Sequence, residues 1–379
     1  MRNTDIGDIA ALSNITSIGC VLKYIPFDLV QEVLISLERE TQRLRALPTE
    51  LVLYLCVMWG FFRKDSLDEV FQKVVHAVDF MFGKPKGQPP TSTAISSARK
   101  RLGAEALSVV FKKCCKPLAS KETPGSHYRR WRLVALDGCT MNVADTSAND
   151  AHFGRPTNQS SKTGAYPQLR MVALGECGTH ALLAVEIGRY LDSESALAVK
   201  ILPQLQPDML CLMDRLFFGF DIWRRSNSTG AALLWRLASN VRVVVQQRLA
   251  DGSFTALCFP SDRDKENKEH EPLLVRIVEY ERRTSKPKEV EKVRLVTNLL
   301  DPIEAPAEEL AMLYCQRWEI ELVYGEIKTR LNENQVYLRS GSPELVRQEA
   351  WGLLLAHYCV RALIFEASQN SRKLLDPDD

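Results

Sequence analysis

Residues 314–328 carry two stripes of contrasting chemistry, side by side at helical spacing. The first stripe is polar and consists of Tyr314, Arg317, Glu321, Tyr324 and Lys328. The second is apolar and consists of Leu313, Ile320, Val323, Ile327 and Leu331. Such a helix buries its apolar stripe and presents the polar one either to solvent, the usual case for a charged face, or to a cleft. The rest of the chain decides between solvent and cleft.

The first 120 residues have the periodicity of α-helices. Proline followed by an acidic first turn predicts two helices, and a capping box of Ser66 and Glu69 predicts a third. Beyond a turn at 83–90, Gly103 separates two shorter helices. The predicted helices are Phe27 to about Arg39, a segment from Thr49, Leu67 to about Phe82, Thr91 to Leu102 and Ala104 to Leu118.

At Trp131 the periodicity changes to the short apolar runs typical of β-strands. Two of these runs end in an aspartate, since Asp137 follows Arg132–Leu136 and Asp214 follows Met209–Met213. Three more strands and two helices are predicted at Gln168–Leu174, His180–Ile187, Ala231–Leu237, Ser193–Leu205 and Phe220–Arg225. The order βββαβαβ predicts an α/β fold in which a mixed sheet is flanked by helices.

A second strand-rich segment interrupts this pattern between residues 240 and 300. We interpret it as a β insertion in the sheet, with strands at Val241–Leu249, Ser253–Phe259, Leu273–Glu281 and Lys292–Asn298. Pro302 and Pro306 close the insertion. A long helix from Ala307 then carries the two stripes, and a last helix runs from about Pro343 to Ser371.

Composition narrows the class of protein. Hydrophobic residues make up 45% and charged residues 25% of the 379 residues, which is ordinary for a globular chain. The apolar run Leu51–Phe62 is too short to span a bilayer, and no signal peptide precedes it. The ten cysteines form no C-x-x-C pair, which favours reduced thiols. We therefore expect a cytoplasmic protein with no membrane partner.

The net charge of +2 conceals a basic block between Lys84 and Arg132. Twelve lysines and arginines stand there against two acidic residues, Glu105 and Glu122. Such a block is either a solvated face or a surface for a polyanion, and its density favours nucleic acid. Arg99, Lys100 and Arg101 cluster at the end of a predicted helix and are candidates for DNA contacts.

Three carboxylates are candidates for a metal site: Asp137, Asp214 and Glu321. An aspartate at a strand end is often only a helix cap or a turn former. Phosphoryl transfer with two Mg²⁺ ions, however, needs oxygen ligands from several elements, and two strand ends and a helix supply that arrangement. The three carboxylates together therefore favour the cleft over solvent for the polar stripe.

The residues around these carboxylates resemble those of bacterial DDE transposases of the insertion sequence 4 type, which have a ribonuclease H-like catalytic domain. The family signature of Tyr, two residues, Arg, three residues, Glu, six residues and Lys is met by Tyr314, Arg317, Glu321 and Lys328. Other similar stretches cover nearly the whole chain and read LVALDGCTMNVADT, LCLMDRLFFGFDIW, FGRP, AYPQLRMVAL, IPFDLVQEVL, LPTELVLYL and SSARKRLG.

The resemblance implies cut-and-paste transposition, in which DNA is cleaved at inverted-repeat ends and joined to target DNA. Asp137, Asp214 and Glu321 would bind two Mg²⁺ ions, with Mn²⁺ as an alternative. The expected DNA contacts are Tyr314, Arg317, Lys328 and Arg215. The implied partners are double-stranded DNA and a second copy of the chain, in the bacterial nucleoid.

The resemblance also divides the chain. It implies an N-terminal helical DNA-binding domain at 1–125 and a ribonuclease H-like catalytic domain at 126–239 that resumes at 301–379. The β insertion at 240–300 lies between these two parts.

Three departures from the family leave alternatives open. Leu216 stands where relatives commonly have a smaller or polar residue, which would alter the turn after Asp214. Trp235 fits a core role better than the capture of a flipped base. The chain ends at Asp379, where relatives continue, so a truncated or domesticated DNA-binding protein is the main rival to an active transposase. A repair nuclease of the same fold is the third alternative.

Overall fold

The computed structural model describes residues 18–41, 47–82, 90–156, 164–260, 271–283, 290–330 and 337–375. The α-helices after residue 25 are α1 Phe27–Ser36, α2 Thr49–Phe61, α3 Leu67–Phe82, α4 Ser92–Cys114, α5 Ser147–Phe153, α6 Glu194–Ile201, α7 Phe220–Asn227, α8 Ala307–Leu313, α9 Trp318–Gly325 and α10 Pro343–Leu375. The strands are β1 His127–Tyr128, β2 Trp131–Val143, β3 Gln168–Glu176, β4 Leu182–Arg189, β5 Met209–Met213, β6 Ala232–Arg236, β7 Val244–Arg248, β8 Phe254–Cys258, β9 Leu273–Arg283, β10 Val290–Thr297 and β11 Tyr337–Leu338.

The N-terminal helices begin and break where local chemistry predicts. Ser66 Oγ accepts a hydrogen bond from the Glu69 amide at 3.3 Å, and Glu69 Oε2 accepts one from the Ser66 amide at 2.6 Å. This reciprocal capping box begins α3. Gly103 has φ 73°, so α4 is two helical segments that meet at this glycine. Both features confirm the sequence predictions.

One sheet organises the rest of the chain. Its strands follow the order β4-β3-β2-β5-β6-β10-β9-β8-β7, while the short β1 and β11 pair with β2. Strands β2, β5 and β6 are parallel to one another, and β3 and β4 are antiparallel to their neighbours. The insertion joins this sheet directly, since β10 pairs with β6. The mixed sheet with helices on both faces confirms the predicted fold class.

The strand that carries Asp137 is longer than predicted. We expected it to end at Leu136, but β2 continues to Val143, and Asp137 pairs with Ala173 of β3. Gly138, Thr140 and Asn142 look like loop residues in the sequence, and their backbone groups are nevertheless used by the ladder with β3. Asp137 therefore lies within a strand and not in a turn.

Two apolar clusters lie on the two faces of the sheet. One includes Leu133, Ala135 and Ala173 and extends into the N-terminal helices and α9. The other includes Val134 and Leu136 and is covered by α6 and α7. Trp235 belongs to this second cluster, where it is fully buried and its ring centroid lies 4.9 Å from that of Trp223. The predicted core role of Trp235 is confirmed.

The C-terminal helix α10 packs into the N-terminal helical layer. Two glycines allow the close approach, because a Cβ atom at Gly352 would lie 2.4 Å from the Cys56 carbonyl oxygen and one at Gly60 would lie 2.7 Å from Ala356 Cβ. In the described part of the chain, 343–370 is the one helical stretch long and apolar enough to cross a membrane, and 61% of its most apolar window is buried inside the protein. The proposed domain boundaries stay a prediction.

Candidate active site

Asp137 and Asp214 lie side by side at the junction of two parallel strands. Leu136 of β2 is paired with Met213 of β5, and each aspartate is the next residue in its strand direction. Asp214 follows the last residue of β5, as the sequence predicted, and precedes a short 3₁₀ turn that begins at Arg215. The carboxyl end of β5 is a usual place for a ligand site in a sheet of this kind.

Glu321 reaches the same place from α9 through Arg317. The Arg317 guanidinium donates to Glu321 Oε1 at 2.8 Å through Nη2 and to Asp137 Oδ2 at 3.3 Å through Nη1. Arg317 is 8% exposed, whereas the Asp137 and Glu321 side chains are 18% and 37% exposed, so the carboxylates keep access to solvent. Two carboxylates of the expected triad therefore already share one cation.

The segment that carries the polar stripe is not one regular helix. The α-helical turns of α8 give way to a 3₁₀ turn at Tyr314–Arg317, α9 follows, and a π-helical segment occupies Glu326–Arg330. The expectation of a continuous α-helix from Ala307 is therefore wrong. The 3₁₀ turn runs from Tyr314 to Arg317 and the π-helical segment contains Lys328, and such irregular turns are frequent at functional sites.

Two tyrosines of the stripe anchor this segment to the strands. Tyr314 donates its hydroxyl to the Met213 carbonyl oxygen at 3.2 Å, and Tyr324 donates to the Asp137 carbonyl oxygen at 2.6 Å. Both rings are buried, at 8% and 5% exposure. The DNA contact expected of Tyr314 does not fit this arrangement, because its hydroxyl already has a partner inside the protein. Sequence reasoning missed the anchoring role of Tyr314, whereas the burial of Tyr324 agrees with packing, which together with a secondary DNA contact was the role expected of it from the sequence.

The environment of Asp137 raises the pKa of its carboxyl. Burial raises the pKa of this carboxyl to about 6, although the Gly138 amide and Arg317 oppose the shift. Glu194, at the start of α6, is a further acidic neighbour that raises the pKa. Its side chain packs so closely on Gly138 that a Cβ atom there would lie 2.6 Å from Glu194 Cδ. Glu194 in turn accepts a hydrogen bond from Arg170 at 2.7 Å.

The candidate DNA contacts fall into separate places. Lys328 lies in the π-helical segment and lowers the pKa of the nearby Cys139 thiol, although burial outweighs it and raises that pKa to about 12. Arg215 is exposed beside Asp214. Lys100 and Arg101 are exposed in the helical layer, at the end of the first segment of α4.

Arg99 is a correction to the predicted DNA contacts. Its side chain is 2% exposed and donates to Gln348 Oε1 at 2.7 Å and to Ser340 Oγ at 3.2 Å. These partners come from α10 and the segment before it, far away in sequence. Arg99 therefore joins the helical layer to α10, and its guanidinium is not presented at the surface.

Several cations of the basic block between Lys84 and Arg132 already have acidic partners within the protein. Arg129 and Arg130 form ion pairs with Glu309 and Glu304 at 3.0 and 2.7 Å. Arg132 pairs with the buried Glu176. The cations of the block that the structure leaves exposed without an ion pair among the described residues are Lys100, Arg101, Lys112, Lys116 and Lys121.

The three carboxylates are chemically suited to a divalent metal, although the structure does not group them into a metal-binding site. Among the residues that the structure describes, no three histidine, cysteine or acidic side chains are grouped closely enough to hold an ion. The Arg317 guanidinium stands between two of the three carboxylates, where it serves as a stand-in cation. Hard oxygen ligands of this kind are those that Mg²⁺ and Mn²⁺ prefer.

Two family models match the chain. Residues 15–112 match the N-terminal domain of insertion element 4 transposases, and residues 130–359 match the transposase DDE domain. The second match covers β2, β5 and α9, which carry Asp137, Asp214 and Glu321.

Individual relatives agree with these models. The chain is 30% identical to the transposase InsG for insertion sequence element IS4 of Escherichia coli K12, over 94% of this chain and 78% of the relative. It is 24% identical to the putative transposase InsZ of the same organism, over 57% of this chain and 69% of the relative. A cryo-EM structure of the piggyBac transposase synaptic complex with hairpin DNA has a similar fold, with a TM-score of 0.50, 14% identity and coverage of 94% of this chain and 76% of that one. The chain therefore belongs to the insertion sequence 4 family of DDE transposases, enzymes that act on DNA and have a ribonuclease H-like fold.

Proposed function

We propose that Asp137, Asp214 and Glu321 are the catalytic carboxylates of this transposase and hold two Mg²⁺ ions, for which Mn²⁺ can substitute. The observation that carries the proposal is the Arg317 bridge, because it places a cation between Asp137 and Glu321 beside the end of β5. Divalent metal at this place supplies Lewis-acid activation of the attacking oxygen and stabilises the leaving 3′ oxygen.

The protein's own residues position the DNA for this reaction. Arg317 exchanges its carboxylates for a backbone phosphate, to which a guanidinium can donate two parallel hydrogen bonds. Lys328 in the π-helical segment and Arg215 next to Asp214 add positive charge for neighbouring phosphates. The hydrogen bonds of Tyr314 and Tyr324 to backbone carbonyl oxygens of β5 and β2 hold this helical segment against the sheet while the phosphate enters.

The substrate that fits this site is double-stranded DNA at the inverted repeats of the element. Water attacks the phosphorus at the repeat boundary, the bond to the 3′ oxygen breaks, and a 3′ hydroxyl and a 5′ phosphate result. The freed hydroxyl then attacks a phosphodiester of target DNA and displaces another 3′ hydroxyl. Two copies of the chain, one on each end, would carry out these steps in the bacterial nucleoid.

A cleavage assay tests this proposal. Purified protein is incubated with Mg²⁺ and duplex DNA that contains the inverted repeat bordering the gene. We expect cleavage at the repeat boundary by the wild type and a loss of at least about 1000-fold in Asp137→Asn, since removing a metal ligand removes the transition-state stabilisation that it supports.

The matched control is Asp221→Asn. Asp221 is an exposed carboxylate on α7 that pairs with Arg224 and Arg225. Its variant should cleave like the wild type. Equal cleavage by Asp137→Asn and the wild type would refute the assigned role, and absence of cleavage by the wild type would favour a DNA-binding protein without the reaction.

A further inference from the structure

A second carboxylate cluster lies on the rear face of the helix that carries Glu321. Glu326 follows α9 directly and is 8% exposed. Five residues along an α-helix correspond to a rotation of about 140°, so Glu326 points away from the face that Glu321 occupies. The carboxylate is buried, and burial of a charge requires compensating partners.

Two histidines and an arginine supply those partners. His180 Nδ1 and His357 Nε2 contact Glu326 Oε1 and Oε2 at 2.8 and 3.0 Å. Arg361 Nη1 is 3.5 Å from Oε1. These cationic and donor groups lower the pKa of Glu326 below its ordinary value, against the effect of burial. Glu326 is therefore ionised and is held by both oxygens.

His180 binds two carboxylates of the same helical segment. Its Nε2 contacts Glu319 Oε2 at 2.7 Å while its Nδ1 contacts Glu326. Ionised carboxylates only accept hydrogen bonds, so both ring nitrogens must carry a proton and His180 is an imidazolium. His357 differs, because its Nδ1 has no hydrogen-bond partner in the described part of the chain and burial lowers its pKa. His357 is therefore the neutral donor of the pair.

The partners come from two elements that do not belong to the helix. His180 lies in the turn between β3 and β4 with φ 62°, a left-handed conformation, and His357 and Arg361 lie on α10. Arg361 also donates to the Thr179 carbonyl oxygen of that turn at 2.6 Å. The cluster of His180, Glu319, Glu326, His357 and Arg361, here called the rear cluster, thus joins the helix to the sheet and to α10.

We propose that Glu326 is a positioning residue for Glu321. The α9 helix ends and the π-helical segment with Lys328 begins at Glu326, so this carboxylate fixes the point where the helix changes its winding. On the front face, the Arg317 bridge is lost when Arg317 turns to a phosphate, and among the ion pairs seen in the described residues it is the rear cluster that then still opposes rotation of α9. This inference rests on the proposed function, in which Glu321 is a metal ligand.

Variants of the rear cluster test the proposal. Glu326→Gln removes the charge and keeps the shape of the side chain. His180→Asn removes the bridge to both carboxylates and keeps the left-handed backbone, which asparagine tolerates. The control is Glu349→Gln, which breaks the buried 2.7 Å ion pair with Arg63 in the helical layer. Mn²⁺ affinity without DNA, affinity for end DNA, cleavage rate and thermal stability are measured for each.

We expect all three variants to lose thermal stability, but only Glu326→Gln and His180→Asn to bind Mn²⁺ about 10- to 100-fold more weakly, as for other changes behind a metal ligand. Their cleavage rate should fall with unchanged affinity for end DNA. Mn²⁺ binding as strong as in Glu349→Gln would overturn the proposal. Because Mn²⁺ binding is measured without DNA, a wild type that cleaves nothing would count against the proposed function and not against the role of Glu326.

Discussion

The two faces of α9 hold carboxylates in opposite ways. On the front face, Asp137 and Glu321 share a single guanidinium, and one of its two contacts is 3.3 Å long. On the rear face, Glu326 is held through both oxygens by His180, His357 and Arg361. The Glu326 side chain is 11% exposed, whereas the Glu321 side chain is 37% exposed.

The difference teaches which contacts can be exchanged. An arginine that bridges two partly solvated carboxylates can leave for a phosphate at little cost, because water and a metal can take its place. A buried carboxylate cannot lose its partners without a large penalty. We therefore expect a substrate phosphate to displace the contacts of Arg317 with Asp137 and Glu321. The rear cluster then holds the helix in place.

Of the variants that test this comparison, Arg317→Ala should give the largest loss of cleavage. It also separates metal binding from catalysis. Without DNA, we expect Mn²⁺ to bind more tightly than in the wild type, because the competing guanidinium is gone. With DNA, cleavage should fall by about 100- to 1000-fold, since a donor to the reacting phosphate is lost. Calorimetric titration and the cleavage assay provide the two measurements.

Lys328→Met is the matched variant for this comparison. Lys328 is a signature cation that has no contact with Asp137 or Glu321 among those seen in the described residues. Its loss should weaken cleavage and leave Mn²⁺ binding as it is. If Arg317→Ala does not bind Mn²⁺ more tightly than Lys328→Met, the contacts of Arg317 with Asp137 and Glu321 do not compete with metal binding.

The rear cluster predicts a specific dependence of stability on pH. Burial alone would lower the pKa of His180, but the hydrogen bonds to Glu319 and Glu326 outweigh it and raise the pKa to about 9, while Arg361 opposes them. A raised pKa in the folded state stabilises the protein fully below pH about 6.5, and this contribution is lost as the pH rises through about 9.

Urea titrations between pH 6 and 10 would measure this contribution, which we expect to be on the order of 3 kcal/mol. The free energy of unfolding of the wild type should fall more steeply over this range than that of His180→Asn. Burial lowers the pKa of His357, so this group titrates on the acid side of the pH window in which His180 loses its proton. Parallel curves for the two proteins would show that His180 is not the titrating group.

Tyr324→Phe should give the smallest effect. It removes the 2.6 Å hydrogen bond to the Asp137 carbonyl oxygen, and we expect a loss of about 1 kcal/mol in urea unfolding with a modest loss of cleavage. Tyr54→Phe is the control, because Tyr54 is also buried and donates to a carbonyl oxygen, that of Ile25, at 2.9 Å. An equal loss of cleavage in both variants would mean that Tyr324 only adds stability.

Local sequence was sufficient for much of the site. The apolar run Met209–Met213 predicted β5 and placed Asp214 at its end, because a short apolar run that ends in an acidic residue is typical of a buried strand. The signature residues predicted that Arg317 and Glu321 would lie on one side of a helix. The strand of Asp137 was predicted too short, since polar residues and a glycine in β2 conceal pairing that depends on β3.

Long-range packing set the limit of prediction. The burial of Arg99 depends on Gln348, 249 positions away, and the rear cluster joins residues from β3–β4, α9 and α10. Neither His180 nor His357 has a neighbour in sequence that marks it as a partner of Glu326. Helical period placed Arg317 and Glu321 together, but it did not anticipate the 3₁₀ turn at Tyr314–Arg317 or the π-helical segment at Glu326–Arg330.

The close packing of α2 on α10 has a consequence for the order in which this protein is made. Cys56 and Gln348 are in contact although 292 positions separate them, and Gly60 and Gly352 admit no further atom between the two helices. A ribosome therefore releases the N-terminal helices long before the helix that completes their core exists. The part of α2 that α10 covers stays exposed until the segment bearing Glu321 has also been synthesised, so the helical layer is completed only after all three proposed catalytic carboxylates are present in the chain.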